Sequence, residues 1–313
     1  MIDMPGNRIW VDAWSPEYGS SSELDAHLPP SVEDVDPWVE TRVWRAIVPP
    51  PSPARVTAFV DGVDRVDARA FLGSDDAVSP GLFGSVGAGS VIADGHARFG
   101  DRAVQRWAVF GGGSQPQLAP FDPVLDYGAR SVQGSAPDEL RRELQNARAN
   151  LEEDLARNLA YEGVLVIADG PMRVREPLDL VGYIKSHQKT YLGRELEPVV
   201  LQLEAGERTP LFRFGEIRPR YSWYLRLVSA PGQHPWAAVV RCEVSTTLGL
   251  DRTVNLADHV SFHLPRFASK AFWDSRAPQN LVPIATLERK LWSLLGDREL
   301  IFRRIRSGVI AYA

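Results

Sequence analysis

The sequence predicts a mixed α/β fold with a central sheet flanked by helices, on three observations. Residues 56–62 (VTAFVDG) and 164–170 (VLVIADG) have the length and Val/Ile content of strands covered on both faces, and both end in Asp-Gly. Residues 137–160 (PDELRRELQNARANLEEDLARNLA) carry a helical apolar stripe and deliver the chain straight into the second of these runs. Further strand-like segments follow on the C-terminal side.

Taken in order, the first fifty residues form an arm. Asp12, Glu17, Glu23, Asp25, Glu33, Asp34, Asp36 and Glu40 face few bases there, and PPPSP at 49–53 closes the stretch as an extended linker. The division is therefore 1–54 for an acidic, proline-bounded N-terminal arm and 55–313 for the main domain. Trp10, Trp14, Trp38 and Trp44 imply that the arm docks, either on its own domain or on a partner. From residue 55, VTAFVDGVDRVDARAFLG predicts a strand, a turn and a second strand. GLFGSVGAGSVIA (81–93) contains GSVGAG but lacks the helix and the Lys-Ser/Thr of a P-loop, so a tightly packed strand is expected. DRAVQRWAVFGG (101–112) reads as another strand.

In the helix, Pro137 suits the first turn, Asp138 and Glu139 suit its positive end, and Leu140, Leu144, Ala147, Leu151 and Leu155 form the stripe. After VLVIADG, a strand or turn is expected at LVGYIKS (180–186). Strands follow at VVLQLEAG (199–206), SWYLRLV (222–228) and AAVVRCEVS (237–245). The segment 284–308 reads as an amphipathic helix broken near Gly296.

At 313 residues, 44% hydrophobic and 24% charged, the chain has the composition of a globular protein with a sizeable core. No apolar run reaches transmembrane length, and MIDMPGNRIW lacks the basic-then-apolar order of a signal peptide. Cys242 is the single cysteine, which excludes an internal disulfide and cysteine-based metal centres. These features favour a cytoplasmic location. A net charge of −5 does not advertise a dedicated DNA-binding domain, yet it is compatible with an acidic metal site beside a local basic patch.

Carboxylates at the ends of neighbouring strands, joined by one from a helix, would make an all-oxygen cage for Mg²⁺ or Mn²⁺. Asp61 and Asp169 are the strand candidates, and Glu143, Glu152 and Glu153 the helix candidates. Glu152 stands at the edge of the apolar stripe and leans toward the sheet, whereas Glu153 points outward. Asp-Gly after a strand is also an ordinary turn, so spacing alone leaves both readings open. His259 and His263 fall four apart, but the chain has no His-Glu-x-x-His and Pro265 follows at once, which argues against a zinc hydrolase. There is no Gly-x-Ser-x-Gly elbow, and Cys242 lies inside a predicted strand as an inert thiol.

The order of these features resembles the NurA family of nucleases, over roughly residues 55–313. FVDG (59–62) matches the family's first Asp-Gly strand, and RANLEEDLARNLAYEGVLVIADGP (148–171) matches its helix acid followed by a second one. LVGYIKS with Lys185 matches a Gly-x-x-Lys segment, and APQNLVPIATLERKL (277–291) stands where the family has Pro-x-x-x-x-His opening a helix. The resemblance implies a ribonuclease H-like core and a Mn²⁺- or Mg²⁺-dependent DNA exonuclease, with endonuclease activity open. It also implies a homodimer and a HerA-type hexameric ATPase partner in DNA end processing.

By the same resemblance Asp61 and Asp169 would bridge or flank the metals, Glu152 would complete the first site, and Lys185 would either meet the scissile phosphate or the attacking water or stand as a solvated lysine on a turn. Glu288 stands where the family commonly has histidine. That departure leaves two outcomes: a more acidic but working cage, or a catalytically silent subunit that docks a translocase. Arg289, Lys290, Arg298, Arg303, Arg304 and Arg306 offer a basic face for a phosphate backbone, or a solvated helix face. Trp223, Trp273 and Trp292 would either stack on bases or be buried.

Overall fold

The computed structural model describes residues 8–11, 35–74, 77–113, 124–185, 191–230, 235–270 and 278–312. Its strands begin with β1 (Arg8–Val11), β2 (Val35–Asp36), β3 (Thr57–Ser74), β4 (Ala77–Ala93), β5 (Ala97–Phe110) and β6 (Gly128–Ser131). Helix α1 (Pro137–Tyr161) leads to β7 (Leu165–Asp169) and β8 (Leu180–Ile184), and then to the short helix α2 (Glu197–Leu201). β9 (Phe212–Phe214), β10 (Arg220–Arg226) and β11 (Val239–Ser245) precede α3 (Leu250–His263), α4 (Val282–Leu295) and α5 (Arg298–Tyr312).

One mixed sheet unites the strands in the order β2-β9-β10-β11-β8-β7-β3-β4-β5-β6, with β1 added beside β3. Its heart is the antiparallel meander β3-β4-β5, followed by α1 and the parallel strands β7 and β8 laid against β3. This is the ribonuclease H-like mixed α/β arrangement that the sequence led us to expect.

The first Asp-Gly is not a turn. β3 runs unbroken through Asp61 and Gly62 to Ser74, in place of the strand–turn–strand read from the sequence. The reason is long-range pairing: β4 pairs with β3 from Thr57↔Ala93 to Ser74↔Ala77, interrupted only by a bulge between Val66 and Ala68. That ladder holds extended a segment whose local signals favour a bend.

The glycines of β4 explain how a strand can be covered closely on both faces. A Cβ on Gly84 would stand 2.5 Å from Leu144 of α1, and one on Gly89 would stand 3.1 Å from Leu287 and 3.2 Å from Leu291 of α4. Residues 84 and 89 differ in parity and point to opposite faces. α1 buries Leu140, Leu144, Ala147, Ala156, Leu159 and Ala160 on one face, and α4 buries Ile284, Leu287, Leu291 and Leu295 on the other. α1 starts at Pro137, where the Glu139 carboxylate accepts from Ala136 N–H at 3.1 Å. Gly296, with φ +86°, separates α4 from α5, which is the predicted break.

The strand expected at VVLQLEAG is instead helical at its start. Pro198 stands in the first turn of α2, and Leu196, Val200 and Leu203 recur at helical spacing to bury against Phe212, Phe214 and Tyr224. Tertiary packing selected the 3.6-residue period over the alternation.

The C-terminal part of the arm is built into the domain. β2 pairs with β9, and Ile47 and Arg208 exchange backbone hydrogen bonds of 2.8 and 3.0 Å. The Arg208 guanidinium, 1% exposed, holds Glu40 at 2.7 Å and Asp258 at 2.7 Å. Trp38 and Trp44 meet edge to face at 6.4 Å. Trp14 and Trp273 lie outside the described residues, as does the side chain of Trp10. Among the described residues no helix is long and apolar enough to cross a membrane.

Candidate active site

Parallel pairing sets the two aspartates side by side. β3 and β7 run in register from Thr57↔Leu165 to Val60↔Ala168, so Asp61 and Asp169 are the next residues on adjacent strands. Asp169 in turn sits opposite Tyr183 of β8, and Lys185 follows directly after that strand. Lys185 Nζ donates to Asp169 Oδ2 at 2.7 Å and to Asn280 Oδ1 at 3.1 Å. The Tyr183 hydroxyl donates to the Gln279 carbonyl at 2.6 Å, which ties the segment before α4 to the same place. Asp61, Glu152, Asp169, Lys185 and Arg148 line one cavity of about 390 Å³.

Of the three helix carboxylates, Glu152 is the one that reaches Asp61. A Cβ on Gly62 would fall 2.2 Å from Glu152 Oε1, so the missing side chain makes the cradle in which that carboxylate lies. Arg148, one turn earlier, pairs with Glu152 and also holds Asp64 at 3.2 Å. Glu143 is taken by Arg130 at 2.7 Å, and Glu153, although it borders the cavity, is paired with Arg157.

Burial pushes the Asp61 carboxyl well above the usual range, and the neighbouring Asp169 and Glu152 push it further. Lys185 and the Gly62 N–H, which donates to Asp61 Oδ1 at 2.8 Å, offset part of this. Burial raises Glu152 as well, against the pull of Arg148. In the cleft the negative charge of Asp61 and Glu152 is thus disfavoured by burial and by the neighbouring carboxylates.

Glu288 is half-buried on α4 and is not among the residues that line this cavity. The part of the C-terminal segment that does reach the site is Asn280, fully buried and bonded to Lys185. Trp223 is fully buried with its indole N–H on Ser261 at 3.1 Å, so it is a core residue and no base-stacking platform; Trp292 is 43% exposed. Cys242 is buried in β11 and burial pushes its thiol up, as an inert residue requires. Arg289, Arg303 and Arg306 are exposed, while Lys290, Arg298 and Arg304 are half-buried.

Sequence reasoning passed over Arg148, Asn280 and Glu243. The first had a signal, since Arg148 and Glu152 stand four apart on one helix. Glu243, fully buried on β11, accepts from Met172 N–H at 2.6 Å and pairs with Arg241 at 2.6 Å and Arg220 at 2.8 Å. It fixes the loop after β7 to the sheet, a role only topology reveals.

The donor set suits a hard divalent cation in its chemistry: oxygen ligands, clustered negative charge and a cradle at Gly62. Among the described residues no three His, Cys, Asp or Glu side chains are arranged around one point to hold an ion. Arg148 on Glu152 and Lys185 on Asp169 supply the neutralisation that a cation would provide.

No protein-family model matches the chain, and no curated protein matches it in sequence. In structure it is similar to the NurA nuclease from Sulfolobus solfataricus, with a TM-score of 0.52 over 86% of this chain and 88% of that one, at 13% sequence identity. The fold is NurA-like.

Proposed function

We propose that the chain is a Mn²⁺- or Mg²⁺-dependent deoxyribonuclease, exonucleolytic with endonucleolytic cutting open. The observation that carries this reading is the register of β3 and β7, which puts Asp61 beside Asp169 with Glu152 over Gly62 in the same cleft. Asp61, Asp169 and Glu152 would hold the ions. When bound, such ions supply Lewis-acid stabilisation of the phosphoryl oxygens and lower the pKa of water.

The chain's own residues have distinct tasks. Arg148 fixes the Glu152 carboxylate against Gly62. Asp169 and Asn280 together aim the Lys185 ammonium into the cleft, where it would neutralise an incoming phosphate. Glu288, expected as the fourth acidic group, has no place in the lining of the cavity, and we assign it no step. The resemblance of the motifs to the NurA family supports a homodimer acting with a HerA-type hexameric ATPase in DNA end processing.

A second reading rests on the ion pairs themselves. With Glu152 and Asp169 already neutralised by Arg148 and Lys185, the chain would serve as a silent docking subunit for a translocase. One experiment separates the two. End-labelled single- and double-stranded DNA is incubated with Mn²⁺, Mg²⁺ or EDTA and wild-type protein, Asp61→Ala or Asp169→Ala. Metal-dependent cutting lost in both variants supports the nuclease, and cutting that survives both removes these residues from the site. Absence of cutting under every condition, with a translocase added, favours the docking subunit.

A further inference from the structure

We infer that a second groove beside the cleft, lined by Arg173, Arg175, Arg218 and Arg220 with Thr246 and Thr247, binds the phosphate backbone of the strand being processed. It deepens the nuclease reading by giving the strand a path, and it rests on that reading for the strand's direction toward the cleft. The groove encloses about 210 Å³ between the loop after β7, the turn before β10 and the end of β11. It shares Met172, Arg173 and Val174 with the cleft that holds Asp61 and Asp169, so the two cavities meet along one short segment.

In that segment Met172 and Val174 are buried while Arg173 and Arg175 are exposed, an alternation that turns both guanidinium groups outward. Two residues apart in extended chain, their Cα atoms are separated by at most about 7 Å, which matches one or two nucleotide steps. Arg173 already interacts electrostatically with Glu152, which places its charge at the junction. Among the described residues, the side chains of Arg175 and Arg218 form no hydrogen bond or ion pair.

The floor of the groove is pre-organised. Buried Glu243 holds Arg220 at 2.8 Å and the Met172 N–H at 2.6 Å, so one carboxylate orders both walls. Ser245 and Thr247 hydroxyls donate to the Arg175 carbonyl at 3.0 and 2.5 Å, which fixes the backbone that carries Arg175. Four arginines and no carboxylate line the groove; the acidic groups that touch its walls are Glu243, on Arg220, and Glu176, which accepts from the Arg175 N–H at 3.0 Å. Unpaired, fork-shaped donors on a fixed backbone are suited to phosphate oxygens, and the Thr246 and Thr247 hydroxyls, which donate to the Pro219 and Arg175 carbonyls, brace that backbone. Met172, Val174, Ile217 and Pro219 complete the lining between the arginines.

The test is binding of a fluorescein-labelled oligothymidylate to the full chain in EDTA, read by anisotropy over a salt series. The double variant Arg175→Ala/Arg218→Ala is compared with wild type and with Arg42→Ala/Arg45→Ala, two exposed arginines outside the groove. The expected result is affinity lowered about tenfold or more and a salt slope reduced by about 1.4 for the groove variant alone, from ~0.7 per phosphate contact on single strands. Equal weakening in both double variants, affinity within about twofold of wild type, or no binding by the wild type would overturn the proposal. Because binding is read without metal, its outcome is independent of cutting. Groove-specific loss of binding in a protein that cuts nothing supports the groove and removes the nuclease reading.

Discussion

Gly62 lies so close beneath Glu152 that a Cβ on residue 62 would stand 2.2 Å from the Glu152 carboxylate oxygen. Gly62 belongs to the long strand β3 and Glu152 to helix α1, and the contact joins them beside Asp61. The crowding atom is the far end of a flexible side chain, which can swing away. The glycine therefore protects the position of a carboxylate more than the stability of the fold.

Gly62→Ala should for that reason separate activity from stability. Alanine displaces the Glu152 carboxylate from the cleft, and cutting of DNA falls more than tenfold. Stability holds or rises slightly, because glycine inside a strand costs roughly 0.5–1 kcal/mol relative to alanine. Thermal unfolding and end-labelled digestion on the same preparation check this. A variant that cuts normally would mean that Glu152 is not needed where it stands. Gly182→Ala makes the contrast, since its Cβ would meet the Met172 backbone nitrogen at 2.7 Å and cannot be accommodated by a rotamer. A stability loss of about 1–3 kcal/mol is expected there.

Asp61→Asn should abolish cutting while raising the melting temperature in metal-free buffer. The carboxylate is 7% exposed and is disfavoured by burial, Asp169 and Glu152, and a neutral amide of the same shape relieves that. Glu288→Gln, outside the cavity lining, should change cutting by no more than a few-fold. If Glu288→Gln is as dead as Asp61→Asn, Glu288 must enter the site in the working enzyme.

Glu40→Ala should destabilise the whole domain, although Glu40 belongs to the arm. It leaves the Arg208 guanidinium, 1% exposed, without its bidentate partner at 2.7 and 2.9 Å. Removing one member of a buried pair costs about 3–5 kcal/mol. Urea denaturation would measure it, and a loss below about 1 kcal/mol would mean that Asp258 alone satisfies Arg208.

Asp169 and Lys185 were legible in the sequence as strand-end residues, whereas Asp61, picked out by the same Asp-Gly signal, lies inside β3 and comes beside Asp169 through the parallel register of β3 and β7. Glu152 was legible from its place at the rim of an apolar stripe. The continuity of β3 past Gly62 was not, since a ladder with β4 decides it and no local signal announces that ladder. Asn280 and Glu243 were hidden for a similar reason: Asn280 meets Lys185 at a separation of 95 residues, and Glu243 meets the Met172 N–H at a separation of 71. The helix at α2 was missed because Leu196, Val200 and Leu203 satisfy a helical period that a short apolar run cannot distinguish from a strand.

Stability should fall as the solution is acidified through the histidine range. His259 Nδ1 and His263 Nε2 stand 3.1 and 3.2 Å from the hydroxyl of Ser52, in the proline linker, and both side chains are nearly buried. Burial, His263, Arg55 and Arg266 push His259 down to about 4, with Asp179 opposing, and burial and Arg266 lower His263 in the same direction. Above about pH 6.5 both folded and unfolded chains keep these rings neutral and they contribute no pH dependence. Between about 6.5 and 4 the unfolded chain binds more protons than the folded one, so stability declines as pH drops. A tenfold difference in proton affinity between the two states corresponds to ~1.4 kcal/mol, so the full effect of His259 is of the order of 3 kcal/mol. Melting curves of wild type and His259→Gln across that window test the sign, and parallel curves would remove His259 as the cause.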